Sequence, residues 1–145
     1  MDVNGDEIRN NYTMTRKPGE KRTKALSYLK VLLADASWVV VHDPHSLKNW
    51  ETTTRFLGEH FPRKPLTINW TKKISGPQIT EIKALCPQWK LAFQVNILEK
   101  FRNLHDRYLI IDGKIEVILT SGIDYLFSDD KECTVIVRKV DDDIL

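Results

Sequence analysis

The sequence predicts an α/β domain with a mixed, mainly parallel β-sheet flanked by helices. Short apolar, β-branched runs alternate with segments of helical hydrophobic periodicity, which is typical of parallel strands joined by helical crossovers. A later Asp-Gly pair between two further apolar runs indicates a β-hairpin, which adds antiparallel strands to the sheet. The length of 145 residues suits one domain of ordinary size.

The first sixty residues supply two helices, one short edge strand and one core strand. Residues 1–18 are predicted to be loosely structured, because Asn, Asp, Gly and Pro punctuate them, with a short edge strand at 11–15. Residues 19–36 place apolar side chains at helical spacing and basic ones opposite, which predicts a helix. The continuous apolar run 37–42 favours a buried strand. The following Asp-Pro-His-Ser offers a cap for a helix over 47–61.

The second half supplies one more helix and most of the strands. Ser75 and Pro77 open a helix that continues to about residue 85, with the proline in its first turn. The domain is expected to span residues 19–140 and to end in an acidic tail, residues 141–145. The expected strands lie at 65–70, 90–95, 104–112, 115–120 and 133–140.

Composition and charge are those of an ordinary globular protein. Hydrophobic residues make up 41% and charged residues 29% of the chain. The net charge of +2 is too small to indicate a nucleic-acid or membrane-binding protein by itself, although residues 16–30 are markedly basic. Cys86 and Cys133 lack metal-ligand spacing, which favours reduced thiols in a cytoplasmic protein. No cofactor and no metal are expected, and no apolar run approaches bilayer-spanning length.

The segment from His105 to Asp112 carries the most suggestive chemistry. On a strand, His105 and Arg107 project side by side from one face. A guanidinium presents a planar fork to two phosphate oxygens, and an imidazole can attack phosphorus, donate a proton or hydrogen-bond. Asp112 lies at the hairpin turn, where its carboxylate can orient a neighbouring imidazole or bind backbone amides. His105, Arg107 and Asp112 are therefore the candidate catalytic residues.

These residues resemble the phospholipase D superfamily signature. In that signature a His, any residue, a Lys, four residues and an Asp are followed by Gly-Ser-x-Asn. His105 and Asp112 match in type and spacing, whereas Arg107 stands at the Lys position. Ser121 precedes its Gly instead of following it, and Asp124 replaces the Asn. The resemblance implies one phospholipase-D-like half, with phosphate bound by His105, Arg107, Ser121 and Asp124.

The chain is also similar to the MIT C-terminal domain, a phospholipase-D-like module. The similarity lies in Asp43-Pro44 after the first core strand, in His105-Asp106-Arg107, and in Gly122-Ile123-Asp124-Tyr125-Leu126-Phe127. The eukaryotic module is similar to a catalytically silent member that binds anionic lipid. No MIT helical bundle is expected in residues 1–18, which precede the domain.

The resemblance implies a metal-independent phosphodiesterase, and specifically a nuclease acting on DNA or RNA through His105. In catalytic members the His becomes a phosphohistidine, the Lys holds phosphate, and a second His protonates the leaving group. Since the chain carries one such motif, the mechanism requires a homodimer. The alternative is a silent module that binds phosphate, nucleic acid or anionic lipid, which Arg107, the reversed Gly-Ser order and Asp124 favour. A third reading, a purely structural interaction domain, has no positive feature.

Simpler interpretations stand beside these. A single His on a strand is more often a structural residue than a catalytic one. Asp43 is interpreted mainly as a helix cap, although it and His45 follow a strand at the end of the sheet where ligands gather. His42, Asp43 and His45 do not form a convincing metal site, because alternation puts His42 and Asp43 on opposite faces. The four tryptophans are typical of a core rather than of base-stacking platforms.

Overall fold

A computed structural model describes residues 12–17, 22–43, 50–93, 107–119 and 133–140. Within these residues there are seven strands and three helices. The strands are β1 (Tyr12–Arg16), β2 (Trp38–His42), β3 (Leu66–Trp70), β4 (Trp89–Phe93), β5 (Arg107–Ile111), β6 (Ile115–Leu119) and β7 (Cys133–Lys139). The helices are α1 (Thr23–Leu33), α2 (Trp50–His60) and α3 (Gly76–Leu85). None of these described helices is long and apolar enough to cross a membrane.

The strands form one mixed sheet, as the sequence predicts, in the order β1-β7-β6-β5-β2-β3-β4. Strands β2, β3 and β4 run parallel, with α2 and α3 as their crossovers. The other described pairings are antiparallel and outnumber the parallel ones. Two pairings explain the difference from a mainly parallel sheet: β5 runs against β2, and β1, the expected edge strand, runs against β7.

The main core lies between one face of the sheet and the three described helices. Leu29 of α1, Phe56 of α2 and Ile82 of α3 are each fully buried against this face. Burying a side chain of this size stabilises the fold by roughly 1.5–3 kcal/mol. The sheet contributes alternate residues from its strands, among them Val39, Val41, Ile68, Trp70, Trp89, Leu109, Ile111, Val117, Leu119, Val135 and Val137.

The opposite face of the sheet carries a second, smaller cluster formed by Val40, Tyr108, Ile110 and Ile118. Strands that alternate with helices predict a sheet covered on both faces, but all three described helices contribute to the main core alone. The reason is the strand order. Because β2, β3 and β4 advance in one direction across the sheet, right-handed crossovers place α2 and α3 on the same face.

The continuous apolar runs of the sequence predict a core at Val39–Val41, Ile68, Phe93, Leu109–Ile111 and Val135–Val137, and the structure confirms most of these positions. Val39–Val41, Ile68 and Leu109–Ile111 are at most 3% exposed, whereas Phe93 and Ile136 are half-buried. Trp70 and Trp89 are fully buried, and Trp38 and Trp50 pack partly buried against the two clusters.

Two local predictions are confirmed in detail. Ser75 caps α3 in a capping box with Gln78, and Pro77 lies in the first turn. At the hairpin, Asp112 and Gly113 have φ angles of 54° and 67°, and Lys114 N–H donates to the Ile111 carbonyl over 3.0 Å. Positive φ at both central residues is the type I′ turn that suits the twist of paired strands.

A charged pair crosses the second face of the sheet. Glu116 is fully buried, and its Oε1 accepts a hydrogen bond from Arg138 Nη2 on the neighbouring strand over 3.0 Å. The arginine side chain is 42% exposed. Removing one member of such a pair leaves the other charge unpaired in the interior. The stability lost in this way is far larger than the stability that the intact pair contributes.

Replacing Arg138 is therefore expected to destabilise the fold strongly. We predict that Arg138→Met lowers the free energy of unfolding by about 3 kcal/mol. The double variant Glu116→Gln/Arg138→Met should lose clearly less, because no charge is left buried. Urea denaturation measures both. Arg55→Met is the control, since the Arg55–Glu59 pair is exposed and is worth about 0.5 kcal/mol or less. Equal losses for Arg55→Met and Arg138→Met would contradict the argument.

His60, at the end of α2, is a partly buried imidazole. Burial lowers its pKa below the ordinary value of 6.5; Lys30 and Arg55 lower it further, and Glu59 acts in the opposite direction. The ring packs on Phe56, with 5.6 Å between ring centroids. The folded protein therefore resists protonation at this position, whereas the unfolded chain accepts the proton.

Because of this difference, the fold loses stability as the pH is lowered. The contribution of neutral His60 is complete above pH 6.5 and is lost as pH falls below that value, because the unfolded state binds the proton first. We predict that the drop in unfolding free energy between neutral and mildly acidic pH is smaller in His60→Gln than in the wild type. Urea denaturation at both pH values measures it, and an equal drop would show that other groups account for the loss.

Candidate functional site

The strand directions bring the predicted site to one end of the sheet. The parallel strands finish there with His42, Trp70 and Phe93. Because β5 is antiparallel to β2, its first residue, Arg107, lies at the same end, and Leu119 of β6 pairs with it. We call this the site end, and the opposite end, which carries the turn at Asp112–Lys114, the hairpin end.

The structure describes some of the predicted site residues and not others. His105, Ser121 and Asp124 lie outside the described residues, as does His45. For Arg107 the backbone is described, as the first residue of β5 at the site end. Asp43 and Asp112 are described in full, at opposite ends of the sheet.

Asp43 is a buried carboxylate at the site end. It follows the last residue of β2 and is 4% exposed. His42 pairs with Tyr108 across β2 and β5, so the next antiparallel step sets Asp43 opposite Arg107. Asp43 therefore lies directly after β2 at the site end, and its interpretation as a helix cap stays a prediction, because residues 44–49 lie outside the described residues.

His42 was considered in the sequence only as an unconvincing metal ligand, and its structural contacts were missed. Its Nδ1 shares a hydrogen bond of 2.6 Å with the Thr71 hydroxyl, and its ring packs on Tyr108 with 5.9 Å between centroids. Thr71 N–H in turn donates to the Val41 carbonyl over 3.1 Å. These contacts join the ends of β2, β3 and β5. The signal in the sequence is that His42 ends one predicted strand and Thr71 directly follows another.

Asp112 binds backbone amides at the hairpin end. Its Oδ1 accepts hydrogen bonds from Ser37 N–H over 2.8 Å and from Trp38 N–H over 3.0 Å. Its own N–H donates to the Trp38 carbonyl over 2.9 Å. Five residues of strand separate it from Arg107, a distance of roughly 17 Å. Since His105 lies outside the described residues, the expected pairing of Asp112 with His105 stays a prediction.

Two clefts among the described residues lie away from the predicted site. One, of about 590 Å³, lies between α2 and α3; another, of about 210 Å³, lies beside the end of α2. Both are lined by Arg63, whose guanidinium donates to the Leu85 carbonyl over 2.6 Å and to the Gly58 carbonyl over 3.1 Å. These bonds join α2 to the end of α3, which is a structural role, and none of the predicted site residues lines either cleft.

Comparisons with known proteins give structural likeness only. No protein-family model matches the sequence, and no curated protein sequence matches it. Among solved structures the chain is similar to NucT from Helicobacter pylori, at 15% identity and a TM-score of 0.47, over 88% of this chain and 86% of that one. It is also similar to a phospholipase D family member, Nuc from Salmonella typhimurium, at 12% identity and a TM-score of 0.43, over 90% of this chain and 85% of that one. The fold assignment rests on the strand order and register of the chain itself.

The role of Asp112 can be separated from its unusual backbone. We predict that Asp112→Ala lowers the free energy of unfolding by about 2–3 kcal/mol, because it removes an ionised acceptor of two amide bonds and puts Ala at positive φ. Asp112→Gly relieves the backbone strain but also removes the acceptor, and Asp112→Asn keeps an acceptor at positive φ. Thermal or urea unfolding of the three variants measures the losses.

If Asp112→Asn is no more stable than Asp112→Ala, although both keep a side chain at positive φ, the amide bonds contribute nothing. NMR titration of His105 in Asp112→Asn tests the expected pairing independently. An unchanged titration would leave Asp112 with its structural role alone.

Proposed function

We propose that this chain is a phospholipase-D-like phosphodiesterase that cleaves DNA or RNA, with His105 as the nucleophile and Arg107 holding the phosphate. The supporting observation is the cross-strand pair of Arg107 with Leu119. In the sequence, His105 lies two positions before Arg107, and Ser121 lies two positions after Leu119. The covalent chain therefore keeps the Cα atoms of both within about 7–8 Å of the pair.

Asp43 supports a cationic site at this position. A buried carboxylate is costly unless a positive charge or several donors accompany it. The β2–β5 register sets Arg107 opposite Asp43, and directly opposed charges on neighbouring strands attract. In the proposed site, Asp43 holds the Arg107 side chain at the end of β5, from which it reaches the phosphate. Asp43 is thus a positioning residue, because it acts through Arg107.

The proposed reaction has two displacement steps. An imidazole nitrogen of His105 attacks phosphorus, a P–N bond forms, and the P–O bond to the leaving nucleoside breaks. The leaving oxygen takes a proton from a second imidazole, which His105 of another copy supplies across a two-fold axis. Water then attacks phosphorus, gives its proton back to that second imidazole, and the P–N bond breaks to free His105.

One set of assays tests this function. Purified protein is incubated with single- and double-stranded DNA, RNA and bis(p-nitrophenyl) phosphate, with and without EDTA. We predict metal-independent cleavage that falls at least about a thousandfold in His105→Ala, because the nucleophile is lost. Arg107→Ala should also lose cleavage, whereas the control Arg55→Ala, on the exposed face of α2, should retain it. Cleavage that EDTA abolishes, or that survives in His105→Ala, would overturn the proposal.

The two-imidazole mechanism also sets the oligomeric state. If the chain is catalytic, light scattering should show a homodimer at the concentrations used in the assay. Turnover by a protein that is monomeric at high micromolar concentration would contradict this mechanism even where cleavage is real.

A second candidate is a silent module that binds phosphate, nucleic acid or anionic lipid through the same residues. It is favoured by Arg107 at the Lys position, which keeps the charge but changes reach and geometry, and by Asp124 at the Asn position. Calorimetric titration with inorganic phosphate separates the candidates. Binding without cleavage, weakened in Arg107→Ala and strengthened as His105 gains a proton, identifies the silent module.

A further inference from the structure

We infer that two pairs of lysines flank the proposed phosphate site and bind the backbone of an extended single-stranded nucleic acid on either side of it. This inference rests on the proposed function and deepens it, since it predicts a preference for polymers over small phosphodiesters. The first pair is Lys17 and Lys24, and the second is Lys72 and Lys73. All four side chains are exposed.

The first pair lies where β1 ends and α1 begins. Lys17 directly follows β1, and Lys24 is the second residue of α1. Arg22, which is 5% exposed, joins the two elements, because its Nη1 donates to the Lys17 carbonyl over 3.2 Å and its own carbonyl accepts from Leu26 N–H. Since β1 ends beside the start of β7, this pair lies at the site end of the sheet.

The second pair lies just beyond β3 at the same end. The chain leaves β3 through Thr71, whose N–H donates to the Val41 carbonyl over 3.1 Å. It enters α3 through the capping box of Ser75. Lys72 and Lys73 stand between these two anchored points, so their backbone is held at the site end.

The strand order sets the distances. Lys17 is three strands from β5 on one side and Lys72 is two strands from it on the other. At about 4.8 Å per strand, the two pairs lie roughly 14 Å and 10 Å from the start of β5, a span of about 24 Å. A stacked strand rises about 3.4 Å per nucleotide, so roughly seven nucleotides cross this span, and fewer when the strand is stretched.

A nucleic acid fits this arrangement better than a membrane surface does. Binding to a membrane interface draws on exposed apolar side chains beside the basic ones. Among the described residues, Val31 is the exposed large hydrophobic side chain, and it lies in the last turns of α1, away from the site end. Four lysines in two separated pairs instead match the spaced charges of a polynucleotide backbone.

The test compares three double variants. Lys17→Ala/Lys24→Ala and Lys72→Ala/Lys73→Ala remove the two pairs. Lys114→Ala/Lys139→Ala is the matched control, because both of its lysines are exposed at the hairpin end. The probe is a fluorescein-labelled oligothymidylate of about 20 nucleotides, titrated over a range of salt concentrations. Thermal unfolding checks that each variant folds like the wild type.

Each site-end variant should bind the oligonucleotide about tenfold more weakly at low salt. The slope of log affinity against log salt should fall by about 1.4, which is two phosphate contacts at about 0.7 each. The control should bind like the wild type. Equal binding by all variants, or equal weakening in the control, would overturn the inference. So would lysine-dependent binding of phosphatidylserine-containing vesicles without binding of the oligonucleotide.

His105→Ala separates this inference from the proposed reaction. If cleavage is absent in the wild type but oligonucleotide binding depends on the lysines, the reaction fails and the binding surface stands. If His105-dependent cleavage is present but the lysine variants bind like the wild type, the binding surface fails and the reaction stands.

Discussion

The antiparallel pairing of β5 with β2 is the constraint on which the rest of the structure depends. It joins a parallel half, β2-β3-β4, to an antiparallel half, β5-β6-β7-β1. Asp112 joins β5 to β2 at the hairpin end through three hydrogen bonds. Two are accepted by its Oδ1, and its own N–H donates the third to the Trp38 carbonyl. A slip of one residue would turn Leu109 and Ile111 from the main core to the second face. These bonds therefore help to keep the register that pairs His42 with Tyr108 at the other end, one step before Asp43 and Arg107.

The local elements could be predicted because their signals are local. An Asp-Gly pair between apolar runs predicts a hairpin, and Ser75 followed by Pro77 predicts the start of a helix. The continuous run at Val39–Val41 specifies a strand buried on both faces, and the structure confirms all three. None of these signals requires knowledge of a distant partner.

What could not be predicted depends on contacts between distant segments. The pairing of β1 with β7 and the placement of three helices on one face follow from strand order, which periodicity does not report. The burial of Glu116 was not predicted: it is fully buried, and its Oε1 accepts a hydrogen bond from Arg138 of β7. For the site, the sequence identified Asp112 but could not identify its partners, since Ser37 and Trp38 precede it by more than 70 residues.

The pairing of β1 with β7 has a consequence for folding. Thr15 and Thr134, whose hydroxyls lie 3.1 Å apart across these strands, are 119 positions apart in the chain. During synthesis, β2 to β4 and their crossovers can associate early, because their contacts are between neighbouring segments. The outer edge of β6 and the whole of β1 have no partner until β7 has been made. Among the described strands, the outer edge of β6 and the whole of β1 thus stay unpaired until late in synthesis, and these are the segments at which a chaperone or another nascent chain would bind.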